Sequence, residues 1–239
     1  MVISGRNEDK IKRVFDKCLA QPPKAEPLAV ASDLTNEAGC KKLISDTIAK
    51  FGKLDVLVNN AGIGGMAHLE DAHLLETFDA VYATNVRPVV VLCHLALPHL
   101  TSAKGCVVNV SSCAGLRPYV GGLSYCSSKA ALDMIARVLA LELGSKGIRV
   151  NNVNPAIVRT PIFEAQGRSK EEVEKIYNTV NASYPLGRPG EPIDIAKAIA
   201  FLASDDASWI SGLTMWADGG SLDCFTGHAP KGFLDLMNK

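Results

Sequence analysis

Residues 109–143 read NVSSCAGLRPYVGGLSYCSSKAALDMIARVLALEL. The β-branched run Cys106–Val110 leads into this stretch as a strand, and Gly115, Pro118, Gly121 and Gly122 mark a loop. From Ser124 to Leu143 apolar residues recur at helical spacing, which predicts a long amphipathic helix. Strand, loop and helix together make one βα unit. Tyr125 and Lys129 are four residues apart on that helix and therefore share a face. Ser112 lies at the strand end, thirteen residues before Tyr125. A phenol ordinarily titrates at about 10, too high for easy proton exchange at neutral pH. A neighbouring ammonium favours the phenolate and would bring Tyr125 down into a usable acid/base range. Ser112 is placed to hydrogen-bond an oxygen held beside that phenol. These residue types suit the interconversion of a carbonyl and an alcohol.

Taken alone the pattern is weak, because Tyr-x-x-x-Lys arises often by chance. Ser112 also reads as a loop serine capping its own backbone, and Lys129 as part of a solvated helix face. The rest of the chain supplies the weight. Met1–Ser4, Leu28–Ala31, Leu54–Val58, Ile148–Val153 and Leu213–Trp216 read as further short apolar strands. Between them, helical periodicity covers Glu8–Ala20, Asn36–Phe51, Leu74–Leu100, Lys170–Val180 and Ile193–Ala203. On Glu8–Ala20 the apolar face is Ile11, Val14, Phe15, Cys18 and Leu19. Gln21–Pro27 is a proline-broken loop. Alternating β and α units with continuously apolar strands predict an α/β fold: a parallel sheet covered by helices on both faces, in three α/β/α layers.

Composition narrows the function classes. A chain of 239 residues, 47% of them hydrophobic, fits one domain over 1–239 without linker or repeat. Lys+Arg and Asp+Glu each number 25, so nothing points to nucleic acid or to an acidic membrane surface. The longest apolar run, Val86–Leu100, is interrupted by Arg87, Pro88, His94 and Pro98 and falls short of a bilayer span. Seven cysteines without a C-x-x-C pair indicate neither a disulfide framework nor a zinc site, and imply reduced thiols in a cytosol-like compartment. Cys113 and Cys126 flank the candidate site and read most simply as small core residues.

Several segments occur together with Ser112 and Tyr125-x-x-x-Lys129: VISGRN at 2–7, Asp33-Leu34-Thr35, Leu57-Val58-Asn59-Asn60-Ala61-Gly62, and Thr84-Asn85-Val86. IRVNNVNPAIVRT at 148–160 and Trp216-Ala217-Asp218-Gly219-Gly220 complete the set. In this order and spacing the chain resembles the short-chain dehydrogenase/reductase family from about Val2 to Gly220. The resemblance implies a doubly wound Rossmann fold and hydride transfer between NADP(H) or NAD(H) and a carbonyl or secondary alcohol. Its implied catalytic set is Asn85, Ser112, Tyr125 and Lys129: Tyr125 gives the proton, Ser112 holds the oxygen, Lys129 depresses the phenol and holds the ribose, and Asn85 holds a relay water. It further implies a small-molecule substrate, a homo-oligomer (dimer or tetramer) and a cytoplasmic location.

One part of the family pattern is absent. Such folds open with a strand, a glycine-rich turn and a helix whose N-terminus stabilises the pyrophosphate. This sequence begins at the family's second strand, so a first βα unit of about 30 residues is expected to be missing. Gly62-Ile63-Gly64-Gly65 follows a strand, but its spacing does not match a phosphate loop. In the family's strand order the first strand is central. Its loss predicts two unpaired strand edges inside the core, with poor folding or weak cofactor binding. The alternative to an enzyme is accordingly a truncated, cofactor-deficient chain that acts only by joining full-length subunits.

The resemblance also assigns the cofactor contacts. The position after the second strand separates NAD from NADP. Here it is Gly5, with no side chain to bind a ribose hydroxyl, followed by Arg6, which suits the extra phosphate of NADP. Asp33 matches an adenine-contacting aspartate, and Asn59, Ala61 and Gly62 form the turn that lies along the cofactor and supports the sheet. Pro155, Ile157 and Thr160 lie in the segment that closes on the nicotinamide. Ala156 stands where the family has glycine, which predicts a slightly altered loop. Residues 161–192 would form a lid, whose Ile162, Phe163, Ile176, Tyr177 and Tyr184 read either as an apolar pocket or as helix packing.

Overall fold

The computed structural model describes residues 1–21 and 26–224. It is an α/β Rossmann-like fold of parallel strands and covering helices. The first strand β1 (Val2–Gly5) is followed by α1 (Glu8–Leu19), β2 (Leu28–Ala31), α2 (Glu37–Phe51) and β3 (Val56–Asn59). Next come α3 (Leu74–Asn85), α4 (Arg87–Ala103), β4 (Cys106–Val110), α5 (Leu123–Leu143) and β5 (Arg149–Pro155). The chain continues through α6 (Lys170–Ser183), α7 (Pro192–Ala203), β6 (Thr214–Ala217) and the short α8 (Ser221–Cys224). Most of the loop expected over Gln21–Pro27 lies outside the described residues.

The strands form two hydrogen-bonded groups, β1-β2 and β3-β4-β5-β6, with every pairing parallel. No strand pairing links β1 to β3 among the described residues, so each stands at the end of its group. Two buried polar atoms without hydrogen-bond partners mark these strands, Ser4 Oγ on β1 and Asn59 Oδ1 on β3. Each atom of this kind costs about 1–3 kcal/mol. Val58 on β3 is 40% exposed, although the residue type and the apolar run both favour burial.

The main core lies between the four-stranded sheet and helices α2, α4 and α5. Leu57, Val107 and Val150 supply the sheet side, and Ile44, Leu92, Ala96, Leu100, Leu132 and Ala136 the helix side. On the opposite face Val108 and Val153 pack with Ile195 and Leu202 of α7. The fully apolar strands follow from this, because both faces of β4 and β5 are covered. α1 is different. Of its five apolar residues only Ile11 is buried, and Val14 and Leu19 are exposed.

The stretch expected as one helix over Leu74–Leu100 is two. Pro88 lacks an N–H and its ring clashes with the carbonyl four residues back, so the helical ladder is interrupted there. α3 ends at Asn85 and α4 restarts at Arg87, with Pro88 in its first turn. Taken end to end, Leu74–Ala103 is long and apolar enough to cross a membrane by length and composition. That exceeds the sequence expectation, which considered only Val86–Leu100. Val81, Val89, Leu92, Ala96 and Leu100 within it are buried in the protein. α4 ends at Lys104, which adopts the left-handed conformation (φ 50°) and turns the chain into β4. Ala156 takes no positive φ, so alanine is accommodated there without the strain expected from the glycine comparison.

Leu132 is 2% exposed at the centre of the main core. Leu132→Ala is expected to lower the unfolding free energy by about 2–5 kcal/mol, measured by chemical denaturation.

Candidate active site

The site sits at the carboxyl ends of β3, β4 and β5, where open α/β sheets place their ligands. β4 runs straight into Ser111 and Ser112, and a single 3-10 turn, Cys113–Gly115, follows. That turn packs directly on α5: a Cβ on Gly115 would stand 2.9 Å from both the Lys129 carbonyl carbon and Asp133 Oδ2. A glycine is therefore required for the close approach. The contact sets Ser112 against the face of α5 that carries Tyr125, Lys129 and Asp133.

Ser112 has two engagements. Its Oγ accepts the Ala114 N–H at 3.1 Å, as expected of a capping loop serine, and its hydroxyl lies near enough to the Tyr125 phenol to favour the phenolate. Lys129 is no part of a solvated face. It is 4% exposed, donates to the Val110 carbonyl at 2.9 Å, and lies 5.6 Å from the centre of the Tyr125 ring. Asn85, 1% exposed at the end of α3, binds both backbone groups of Ile63, accepting from N at 2.8 Å and donating to O at 3.0 Å. Its amide also reaches Ser128 Oγ at 3.2 Å. The helix break at Val86 thus leaves Asn85 as a clamp on the 62–63 turn. A Cβ on Gly62 would meet Asn85 Oδ1 at 3.3 Å and Lys129 Nζ at 3.6 Å, so this turn lies against the lysine. The four residues Asn85, Ser112, Tyr125 and Lys129 are brought into one cluster.

The electrostatics differ from the sequence expectation. Burial pushes the Tyr125 phenol above its ordinary value, and the nearby Ser112 hydroxyl only partly offsets this. Lys129 is not among the main influences on the phenol: its ammonium lies 5.6 Å from the ring centre and its hydrogen bond goes to a backbone carbonyl, so the upward push of burial wins. Burial instead brings Lys129 itself down to about 8, with Asp133 acting in the opposite sense. The neighbouring thiols are also held protonated by burial, Cys113 being pushed up to about 12.

The remaining sequence-predicted positions lie along the strand ends. Arg6 and Asp33 are exposed beyond β1 and β2, and Asp33 accepts the Thr35 N–H at 3.0 Å and hydroxyl at 2.9 Å. Those hydrogen bonds, with Arg6 nearby, hold its carboxyl below the usual value. Ala61 and Gly62 are exposed. Asn59 is buried, and its amide donates to Asn109 Oδ1 at 2.8 Å, so its side chain supports the sheet beneath the turn. Pro155, Ile157 and Thr160 are half-buried, and α6 with its C-cap Tyr184 ties down the latter two. Ile157 N donates to Tyr184 Oη at 3.2 Å, and Tyr177 Oη donates to the Thr160 carbonyl at 3.4 Å. Ile176, Tyr177 and Tyr184 are therefore packing residues. The adjoining cleft of about 890 Å³ is lined by Ile63, Met66, His68, Thr77, Gln166 and Arg168 among others, and none of the five apolar residues considered from the sequence lines it.

A buried polar ladder was not anticipated. Asn59, Asn109 and Asn152 occupy matched positions on β3, β4 and β5, and each amide donates to the next, at 2.8 Å and 2.9 Å. The Asn152 amide ends the row on Asp133 Oδ1 at 2.9 Å. Asn154 donates to both Asp133 oxygens, at 3.1 and 3.0 Å, and to the Ser112 carbonyl at 3.0 Å. Asparagine is depleted in strands, so its recurrence in NNVN at 151–154 was a usable signal.

A family model described as enoyl-(acyl carrier protein) reductase matches residues 1–221. Meso-2,3-butanediol dehydrogenase of Serratia marcescens is 36% identical over 216 residues, covering 89% of this chain and 82% of that protein. A short-chain dehydrogenase/reductase of unknown function from Caenorhabditis elegans, solved with cofactor, superposes with a TM-score of 0.87 at 34% identity, over 92% of this chain and 85% of the other. A 7α-hydroxysteroid dehydrogenase complexed with NADH and 7-oxo glycochenodeoxycholic acid superposes with a TM-score of 0.82 at 33% identity, over 92% and 83%.

Holding Lys129 charged inside the protein opposes folding. Its folded value, about 8, lies below the unfolded one, so the unfolded chain binds the extra proton between these values and stability rises with pH across that interval. A drop of this size costs about 3 kcal/mol at pH 7. Lys129→Met is therefore expected to melt above the wild type at pH 7. The gap should narrow as pH is raised from about 8 to about 10.5, followed by thermal melts across that range.

Proposed function

The chain belongs to the short-chain dehydrogenase/reductase family, and on that premise we propose that it is an oxidoreductase using NADP(H) to interconvert a small carbonyl compound and a secondary alcohol. The observation that carries this reading is the cluster in which the Ser112 hydroxyl meets the Tyr125 phenol while the buried Lys129 lies over the tyrosine ring. Structural fit supports the cofactor. Gly5-Arg6, Asp33, Ala61-Gly62 and Pro155–Thr160 all lie at or beyond the carboxyl ends of parallel strands, where a dinucleotide binds in open α/β sheets. The buried acceptor Asn59 Oδ1, without a partner at the end of β3, is a further polar atom for a ligand or chain to satisfy.

When bound, the nicotinamide supplies or takes up the hydride. The protein's share is proton traffic and orientation. In reduction, Tyr125 donates its phenolic proton to the substrate oxygen, and the Ser112 hydroxyl hydrogen-bonds the same oxygen. The Lys129 ammonium stabilises the phenolate left behind. Asn85 holds the Ile63 turn against the lysine. The raised phenol suits donation, because Tyr125 remains protonated at neutral pH. In oxidation the same groups act in reverse.

Preference for NADP rests on Gly5 and Arg6 alone, since the steroid dehydrogenase neighbour was solved with NADH. Exposed Met134, Val138 and Leu141 on α5 support self-association as a dimer or tetramer. A second reading has its own observation. The interruption between β1 and β3, with Ser4 Oγ and Asn59 Oδ1 unpaired, supports a chain that by itself binds cofactor weakly and works only with other subunits.

Thermal melts with each cofactor discriminate these readings. A larger stabilisation by NADPH than by NADH, abolished by Arg6→Ala, is expected from the leading reading; no shift with either cofactor favours the second. In a carbonyl-reductase assay Tyr125→Phe should reduce kcat by about 100-fold or more. Wild-type reduction should decline above pH about 8, as Lys129 loses its proton. A Tyr125→Phe variant as active as wild type would remove the proposed mechanism.

A further inference from the structure

Asp133 touches none of the groups assigned to the reaction, yet their supports converge on it. It lies on α5 one turn beyond Lys129 and two beyond Tyr125, on the same face. Both its oxygens are occupied: Oδ1 accepts from Asn152 at 2.9 Å and from Asn154 at 3.1 Å, and Oδ2 accepts from Asn154 at 3.0 Å. No Lys, Arg or His forms an ion pair with it among the described residues. Amide donors alone therefore hold this half-buried carboxylate, and hydrogen bonds to an ionised acceptor are among the stronger kind.

The geometry gives those donors a task. The Asn154 amide has two hydrogens. One is directed to Asp133, and the other to the Ser112 carbonyl at 3.0 Å. The carboxylate thus fixes the rotation of Asn154, and Asn154 fixes the backbone carrying the Ser112 hydroxyl. The Asn154 carbonyl accepts from Cys113 Sγ at 3.3 Å, which ties the following residue to the same strand. On the other side Asn152 passes the anchor into the Asn109–Asn59 ladder, which crosses three strands. The titratable groups around this point are Lys129 and Tyr125 on the same helix, Cys113 on the turn above, and Asp218 beyond β6.

Resting on the oxidoreductase reading above, we infer that Asp133 is a positioning residue for that reaction: through Asn154 it holds Ser112 in line with Tyr125, and its carboxylate stands one helical turn from the buried Lys129 ammonium. Replacement by asparagine keeps the shape but removes the charge. It also turns a donor towards Asn152 and Asn154, whose amides already donate. Both effects then appear, one in the turnover and one in the lysine titration.

The test uses the full chain, the variants Asp133→Asn, Asn154→Ala and Tyr125→Phe, and the double variant Asp133→Asn/Asn154→Ala. Carbonyl reduction is assayed with cofactor saturating, and Lys129 is titrated by NMR of protein carrying 13C-labelled lysine, with Lys129→Met to assign the signal. Asp133→Asn is expected to lose about 10- to 100-fold in kcat with KM nearly unchanged, and its Lys129 titration to move down by about half a unit or more. Asn154→Ala should show the kcat loss without the lysine shift, since the charge is retained. The double variant should lose little more than either single one, because both act along one line of contacts. A purely structural role would lower the melting temperature and leave the lysine titration where it was.

Wild-type kcat in Asn154→Ala, or an unshifted Lys129 in Asp133→Asn, overturns the inference. Should Asp133→Asn fail to fold, Asn154→Ala decides it through kcat. A wild-type chain whose activity Tyr125→Phe leaves intact refutes the functional reading instead. The lysine titration needs no turnover, so it still judges the charge effect in that case.

Discussion

Burial of the Lys129 ammonium is the constraint around which the site is organised. A cation withdrawn from water requires close polar company, and here it has the Val110 carbonyl, the Asn85–Gly62 region and, one helical turn away, the Asp133 carboxylate. Each comes from a different part of the chain: the end of β4, the break between α3 and α4, and the next turn of α5. Fixing the lysine therefore fixes the relative placement of three elements. The tyrosine over which it lies is set by the same helix, and the serine by the turn packed on that helix.

The opposite face of this arrangement is the sheet. Parallel strands buried on both sides ordinarily carry apolar residues, yet β3, β4 and β5 carry asparagines in register. An amide can both donate and accept, so a row of them crosses the strands as a continuous chain that ends on Asp133. The row starts at Asn59, whose acceptor oxygen has no partner, beside the interruption between β3 and β1. Catalytic-type residues above and a directional amide row below meet at one carboxylate. This explains why residues such as Asn152 and Asn109 lie so deep although neither can reach a substrate.

Local chemistry made much of this legible in the sequence. The boundaries of β2 and β4 were read from their apolar runs, and α2, α5 and α7 from their periodicity, because these patterns report directly on which faces are covered. Other expectations failed for reasons of context. Val14 and Leu19 were read as a buried face, but periodicity marks which side is apolar and not whether anything packs there. Leu74–Leu100 was read as one helix, because the apolar pattern runs through Pro88 even though the hydrogen-bond ladder does not. The effect of Lys129 on Tyr125 was taken from their spacing on a helix. Spacing places two side chains on one face, while burial and the direction of each hydrogen bond decide their ionisation.

By itself the sequence determined the alternation of strands and helices, the family pattern, and the presence of Tyr125, Lys129 and Ser112 within one βα unit, since all three are encoded by contacts close along the chain. Only the tertiary structure decided which distant groups complete the site: Asn85 closing on Ile63, Asn154 reaching Ser112, and Asp133 collecting the amides of β5. It also decided the ionisation of the lysine and tyrosine. The physical reason is that a hydrogen bond across strands and the desolvation of a charge depend on what the folded chain brings alongside, and residues 20 or 40 positions apart leave no periodic trace of that meeting.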